Sequence, residues 1–448
     1  MNIQLSDHFT YKKLIRFTLP SIGMMIFTSI YGVVDGFFVS NFVGETAFTA
    51  VNFIMPFLMI LGAIGFMFGT GGSALIAKTL GQGDKEKTNS LFSLFVYVSV
   101  IIGLVITVIG IICLRPIASM LGAEGEMLES CVSYGRIIAL GLVFFMLQME
   151  FQSFMITAEK PQLSFIFTLA AGFTNIILDA VLVGALSLGL EGAAIATVTS
   201  QFVGFILPII YFMRKNSSLL RLGKASFDFY AILHACTNGS SELMTNISMS
   251  LVGMLYNTQL LKYAGEQGVA AYGVLMYVNF IFISAFLGYC IGCAPVIGYH
   301  YGAQNSHELK GLLKKSIIII LISSVSMVIL ALGLSSPMAH LFVGYNSELL
   351  ELTKRAFLFY SFSFLFSGIA IFGSSFFTAL NNGPVSAIIS FLRMFLFQAA
   401  AVLLLPSVFV YFGGNGTDGI WISILVAESL AVLVTVIFLF AKRKKYNY

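Results

Sequence analysis

About twelve apolar runs, most of them near twenty residues or longer, are separated along this chain by short polar breaks. A run of that length crosses the hydrocarbon core of a bilayer as an α-helix. None shows the strict alternation of a barrel strand, so the sequence reads as an all-α integral membrane protein. Approximate spans are 14–40, 48–76, 92–113, 131–156, 163–187, 191–213, 233–261, 269–299, 315–335, 355–378, 385–412 and 419–441. Only 10% of the residues are charged and 58% are hydrophobic, whereas a soluble domain carries about a quarter charged. A net charge of +4 offers no basic field for nucleic acid, and five cysteines in 448 residues make no disulfide framework. The residues before the first span do not read as a charged, cleavable leader, so no signal peptide is expected.

Charge placement orients the spans. With the N-terminus assigned inside, 18 of the 24 lysines and arginines fall in inside segments, among them Lys12, Lys13, Lys85, Lys87, Lys224 and Lys444. Four fall outside, Arg115, Lys262, Lys354 and Arg355, and Arg136 and Arg393 lie within spans. The positive-inside rule then expects both termini in the cytoplasm and an even number of spans.

The polar loops repeat. GETAFTA from Gly44 matches GEQGVAA from Gly265 at a shift of 221, and at the same shift Gly81 meets Gly302 and Pro116 meets Pro337. Pro161 meets Pro384 at 223, and Gly192 meets Gly419 at 227. Two six-helix halves in parallel orientation are implied, as in several secondary transporters. The expected division is an N-lobe over 1–213, a cytoplasmic linker over 214–230 and a C-lobe over 231–448.

Ionisable residues inside spans are costly and mark function by default. Asp35 lies about ten residues, or about 15 Å, inward of the outer end of the first helix. Asp179 and Asn175 share a face of the fifth span one turn apart. Thr197 follows the outer turn at the same distance as Asp179 precedes it, so a hairpin places the two at one depth. Two carboxylates, an amide and a hydroxyl suit a small hard cation, Na⁺ included, or a shared proton. In the repeat, Asp35 corresponds to Tyr256, Asn175 to Gln398 and Thr197 to Ile424, so the second half lacks both acids.

The second half has its own cluster, Glu242, Arg393, Gln398 and Glu428, in which Arg393 and a glutamate are expected to pair. Met24, Met55, Met146, Gln148, Met149, Glu150 and Gln152 are candidate lining for an adaptable substrate cavity. Pro20, Pro56 and Pro295 are expected to kink helices. Cys290 and Cys293 lie in an apolar span and carry no expectation of redox or zinc chemistry. The five histidines share no metal spacing, and FGTGGSA lacks the lysine of a phosphate loop. No nucleophile constellation or His/Glu metal motif supports an enzyme.

Pro20 with the YGVVDGFFVSNFVG that follows it, GTGGSALIAKTLGQGD, ITAEKPQLS, NIILDAVLV, LEGAAIAT, GYHYGAQN and LVAESL together carry a resemblance. Over nearly its whole length the chain resembles multidrug and toxic compound extrusion (MATE) transporters, nearest the DinF/MepA-like bacterial branch. The resemblance implies two six-helix lobes facing each other across a central cavity in a bacterial plasma membrane. It implies export of organic cations or amphipathic drugs by antiport against H⁺ or Na⁺, by alternating access and without a cofactor. It places a cation site at Asp35, Asn175, Asp179 and Thr197, with Tyr134 adjoining. Glu242 stands where some members carry a seventh-span acid, but the surrounding GSSELMTN differs. The expected partners are small cationic or amphipathic molecules and the bilayer, with the chain a monomer. The alternative is a flippase of lipid or lipid-linked precursors with a related fold; its expected basic cavity is missing, since only Arg393 and Arg136 lie within spans.

Overall fold

A computed structural model describes residues 3–344 and 346–448. Among the described residues, nine helices are long and apolar enough to cross a membrane, and two bent helix pairs bring the number to eleven. The longest run, Phe229–Gly302, has 74 residues and is broken at Gly265, whose φ of 63° and ψ of −158° leave the helical region. Glycine adopts that backbone without the clash a Cβ would bring. Splitting the run there gives twelve spans. They are α1 (Tyr11–Val43), α2 (Glu45–Gly81), α3 (Lys85–Met120), α4 (Gly125–Leu140 with Leu142–Thr157), α5 (Pro161–Ala185) and α6 (Gly189–Met213). The second set is α7 (229–264), α8 (266–302), α9 (Ser306–Val343), α10 (Ser347–Ser361 with Phe364–Ala379), α11 (Gly383–Tyr411) and α12 (Gly416–Tyr446).

Polar side chains begin the helices at the breaks. Thr10 accepts from Lys13 N, Asp84 from Lys87 N, Asp228 from Ala231 N and Asn305 from Glu308 N. Each satisfies a backbone donor that the first turn leaves free. The sharp bends fall elsewhere than expected. α4 turns by 52° at Gly141 and α10 by 48° at Phe362–Ser363. Pro20, Pro56 and Pro295 lie inside continuous helices.

Apolar packing is unequal between the two ends of the molecule. On the face that carries both termini, one buried core draws from both halves, with Phe17, Ile76 and Phe154 joined to Val296, Phe376 and Ile389. Toward the opposite face the core divides. One cluster, with Ile54, Tyr134 and Met146, belongs to the first half; another, with Tyr256, Trp421 and Ile424, belongs to the second. The six-helix lobes therefore diverge from a shared base.

Small residues allow that base to close. A Cβ on Gly81 would collide with the carbonyl oxygen of Tyr299, and one on Gly302 with that of Lys78. The pair that aligned in the sequence repeat is thus the pair that lets α2 and α8 touch backbone to backbone. Asn381 Nδ2 donates to Ala74 O at 3.1 Å across the same seam, and Ser29 and Ser284 hydroxyls bond between α1 and α8.

Residues 3–10 lie across this face as a strap. Leu5 and Phe9 are fully buried in the shared core. Leu5 N donates to Glu159 Oε1 at 2.6 Å, at the α4–α5 turn. Phe9 N donates to Glu308 Oε1 at 2.9 Å, His8 Nδ1 lies 2.6 Å from Glu308 Oε2, and Lys315 Nζ donates to Phe9 O. One segment thereby holds both lobes.

Candidate ion-coupling site and central cavity

In the diverging half of the first lobe, α1, α5 and α6 bring four oxygen-bearing side chains together. Asp35 is half-buried on α1. Thr197 Oγ1 donates to Asp35 Oδ1 at 3.5 Å, a long bond, and also to Ala193 O at 3.1 Å. Asp179 and Asn175 face Asp35 from α5. Asp179 is 0% and Asn175 1% exposed. Neither Asp179 oxygen nor Asn175 Oδ1 has a hydrogen-bond partner.

The local helix form explains the aim of Asp179. It is the first residue of a π-helical turn, Asp179–Ala185, that ends α5. The end of α1 is also π-helical, over Val39–Val43. Such turns widen the helix and re-aim its side chains, and they recur at functional sites.

Tyr134, 1% exposed on α4, lies within electrostatic range of both carboxylates. Its hydroxyl points to Met55 Sδ at 3.9 Å. Tyr31, one turn before Asp35 on α1, is also in range of that acid and was not singled out from the sequence. Its i to i+4 spacing was the available signal.

Two facing carboxylates, one fully buried and one half-buried, repel each other, and a proton or a cation between them relieves that repulsion. The free donors are all oxygen, the chemistry of a hard ion such as Na⁺ rather than a soft metal. Among the described residues no group of three or more His, Cys, Asp and Glu side chains could hold a metal ion.

The cleft between the lobes ends in a cavity whose lining includes Met25, Met149 and Gln152 from the first lobe and Glu242, Cys290 and Arg393 from the second. Of the residues expected to line it, Met149 and Gln152 do. Met24 does not: it is fully buried, and its sulfur accepts from Ser164 Oγ at 3.3 Å. One residue is a turn of about 100° on a helix, so Met25 faces the cavity instead. Met146 is sealed in the first lobe's own core, and Met55 packs against that core beneath Tyr134. Gln148 packs against Gly204 of α6. Glu150 is 0% exposed beside α2 and Ser99 of α3, with both oxygens unpartnered. Helix α4 is buried on nearly all faces below its bend, so the sequence shows no polar or apolar side from which to choose the lining.

In the second lobe Arg393 Nε donates to both oxygens of Glu428, at 3.1 and 2.9 Å. Gln398 joins that pair in lining a second cavity with Tyr256, Tyr272 and Tyr360. Glu242 shares the central cavity with Arg393 but makes no ion pair with it. Tyr256, the repeat partner of Asp35, hydrogen bonds with Ser423 at 2.8 Å. Cys290 and Cys293 are free thiols.

Two pseudo-equivalent helical lobes, meeting at one face and diverging toward the other around a cleft of mixed polar and apolar lining, have the architecture of a polytopic membrane transporter. A family model described as MatE matches twice, over residues 20–181 and 243–403, once in each half. The chain belongs to the MatE family. It is similar to the multidrug export protein MepA of Staphylococcus saprophyticus, at 28% identity over 444 residues, covering 97% of this chain and 94% of that protein. MepA of Staphylococcus aureus is 26% identical over 445 residues, with the same coverage. Among solved structures, one described as an outward-facing conformation of a multidrug resistance MATE family transporter superposes with a TM-score of 0.92. It is 22% identical, covering 99% of this chain and 98% of that one. A transporter from Pyrococcus furiosus, described as having a binding pocket of reverse polarity, superposes at 0.90 and 22% identity, covering 98% of each chain.

Proposed function

We propose that this protein is a secondary active multidrug exporter that expels organic cations and amphipathic drugs by antiport against H⁺ or Na⁺. The observation that carries the reading is the set of buried, unpartnered oxygens of Asp179 and Asn175 facing Asp35 in one lobe only. The ion binds at Asp35, Asn175, Asp179 and Thr197, with Tyr134 closing the site from α4. The drug binds in the central cleft, where Glu242 is an unpaired acid for a cationic head and Met25 and Met149 offer an adaptable apolar wall. Arg393, Gln398 and Glu428 shape the second lobe's side of that cleft.

The working units are the lobes 1–213 and 231–448 joined by the linker 214–230, in a monomer. The protein resides in a bacterial plasma membrane with both termini in the cytoplasm, so the diverging half opens outward. An ion entering from outside relieves the repulsion between the two acids and permits drug release. The lobes then rock about the cleft, the ion leaves inward, and drug binds again. One elementary charge moving through 100 mV supplies about 2.3 kcal/mol, which supports roughly fiftyfold accumulation.

The test is dye efflux from proteoliposomes under an imposed pH gradient and then a sodium gradient, for wild type and Asp35→Asn. Efflux that follows one gradient and vanishes in the variant identifies ion and site together. Efflux in the variant at the wild-type rate removes Asp35 from the coupling.

A further inference from the structure

We infer that the face carrying the termini holds a binding site for a phosphate group, that of an anionic phospholipid headgroup or of a free phosphate compound, in a cavity between the lobes. The cavity encloses ≈ 560 Å³, and its lining includes Lys78 from α2, Lys87 from α3, and Tyr230, Leu233 and His234 from α7. It is thus built by both lobes and lies apart from the central cleft.

Its two lysines lack acidic partners. Neither Lys78 nor Lys87 forms an ion pair among the described residues. Lys78 is held in place by the Tyr301 ring of α8, with Nζ 5.5 Å from the centroid. The two lysines repel each other, and His234 adds an imidazole from the second lobe to the same lining. One carboxylate, Asp228, also borders the cavity and caps α7, accepting from Ala231 N at 3.0 Å; against the two lysines it leaves the lining with a net positive charge. Two like charges gathered in one concave site without a partner are stabilised by an anion that takes up both.

The rim suits a lipid. Phe227, Phe229, Tyr230 and Leu233 are 78%, 61%, 83% and 50% exposed at the start of α7. Aromatic side chains at such a level sit between headgroups and acyl chains, and basic pockets between membrane helices take anionic headgroups. Because the lysines belong to one lobe and His234 to the other, a bound phosphate links the lobes in the arrangement described above. Separating α2 from α7 requires that it be released or carried by one side. This site does not depend on the identity of the exported molecule or of the coupling ion.

The experiment uses the full chain in nanodiscs of phosphatidylcholine, with phosphatidylglycerol added in one arm and inorganic phosphate in another. Thermal unfolding and native mass spectrometry report stabilisation and retained lipid. Stabilisation with retained phosphatidylglycerol supports the site and assigns it to lipid; stabilisation by inorganic phosphate alone supports the site and assigns it to a soluble phosphate. The Lys78→Gln/Lys87→Gln variant is expected to weaken binding about fivefold per lysine removed. The Lys78→Arg/Lys87→Arg variant is expected to keep it, which separates lost charge from lost folding. Equal response of wild type and the glutamine variant, or no response to either anion, overturns the inference.

Discussion

The two lobes share one chain path but treat the polar groups of two clusters, around Asp35 in the first and around Arg393 in the second, in opposite ways. In the first lobe Asp179 and Asn175 keep oxygens without partners, and Asp35 accepts a long bond from Thr197. In the second, Arg393 and Glu428 neutralise each other, and Tyr256, at the position of Asp35, is satisfied by Ser423. At the repeat shift of 223 Asp179 corresponds to Val402, which is fully buried in apolar core. Both fifth helices carry a π-helical turn, but one begins at Asp179 and the other, Leu392–Leu396, contains Arg393. In these clusters the first copy leaves valences open and the second closes them. The proposed ion exchange rests on the open set.

The largest expected effect breaks that asymmetry directly. Asp179→Asn is expected to abolish gradient-driven dye efflux in proteoliposomes. Gln398→Leu, at the second-lobe counterpart of Asn175, should leave the choice of driving ion unchanged. Equal loss of coupling in both would mean that the lobes share the ion.

Next is the closed pair. Arg393→Leu leaves Glu428 buried and alone, a change worth about 3–5 kcal/mol, read by thermal unfolding in detergent. Arg393→Leu/Glu428→Leu should recover most of it. A double variant as unstable as the single would show that packing, not charge, is what Arg393 supplies.

A smaller effect is expected where the strap joins the lobes. Glu308→Gln weakens bonds to Phe9 N and His8, at about 1.5–3 kcal/mol for charged hydrogen bonds. The variant is expected to melt lower than wild type in detergent. Equal melting temperatures would remove Glu308 from the strap's hold.

The smallest is Thr197→Val, which deletes one long neutral hydrogen bond. It should weaken ion-driven efflux by no more than about tenfold, measured as the half-saturating ion concentration. Complete loss would make Thr197 a direct ligand on a par with Asp179.

Much of this was legible in the residues. Length and apolarity of the runs set the twelve spans, and loop motifs such as Gly81 and Gly302 exposed the duplication. Asp35, Asn175, Asp179 and Thr197 stood out because an ionisable or oxygen-rich group inside a span is costly and sparse. The cavity lining was harder to read. Met24 and Met25 are adjacent and chemically identical, and only the rotation of α1 against its neighbours decides which one faces the cleft. Glu150 and Gln148 lie on a helix with no polar side, so burial in a lobe and exposure to a cavity look alike in sequence. The strap was missed for another reason: His8, Glu159, Glu308 and Lys315 are up to 307 positions apart, and nothing local announces that they meet.

What the sequence by itself determined is the solvent of each segment, the repeat, and the residues too polar to be in a membrane without purpose. Those follow from transfer energies and chain periodicity, which are properties of residues in order. What only the tertiary structure decided is which polar groups are answered and which are left open, where the helices bend, and that the lobes share a core at one face and part at the other. Those depend on the approach and rotation of helices far apart in the chain, and a difference of one residue around a helix is enough to exchange a ligand for a packing contact.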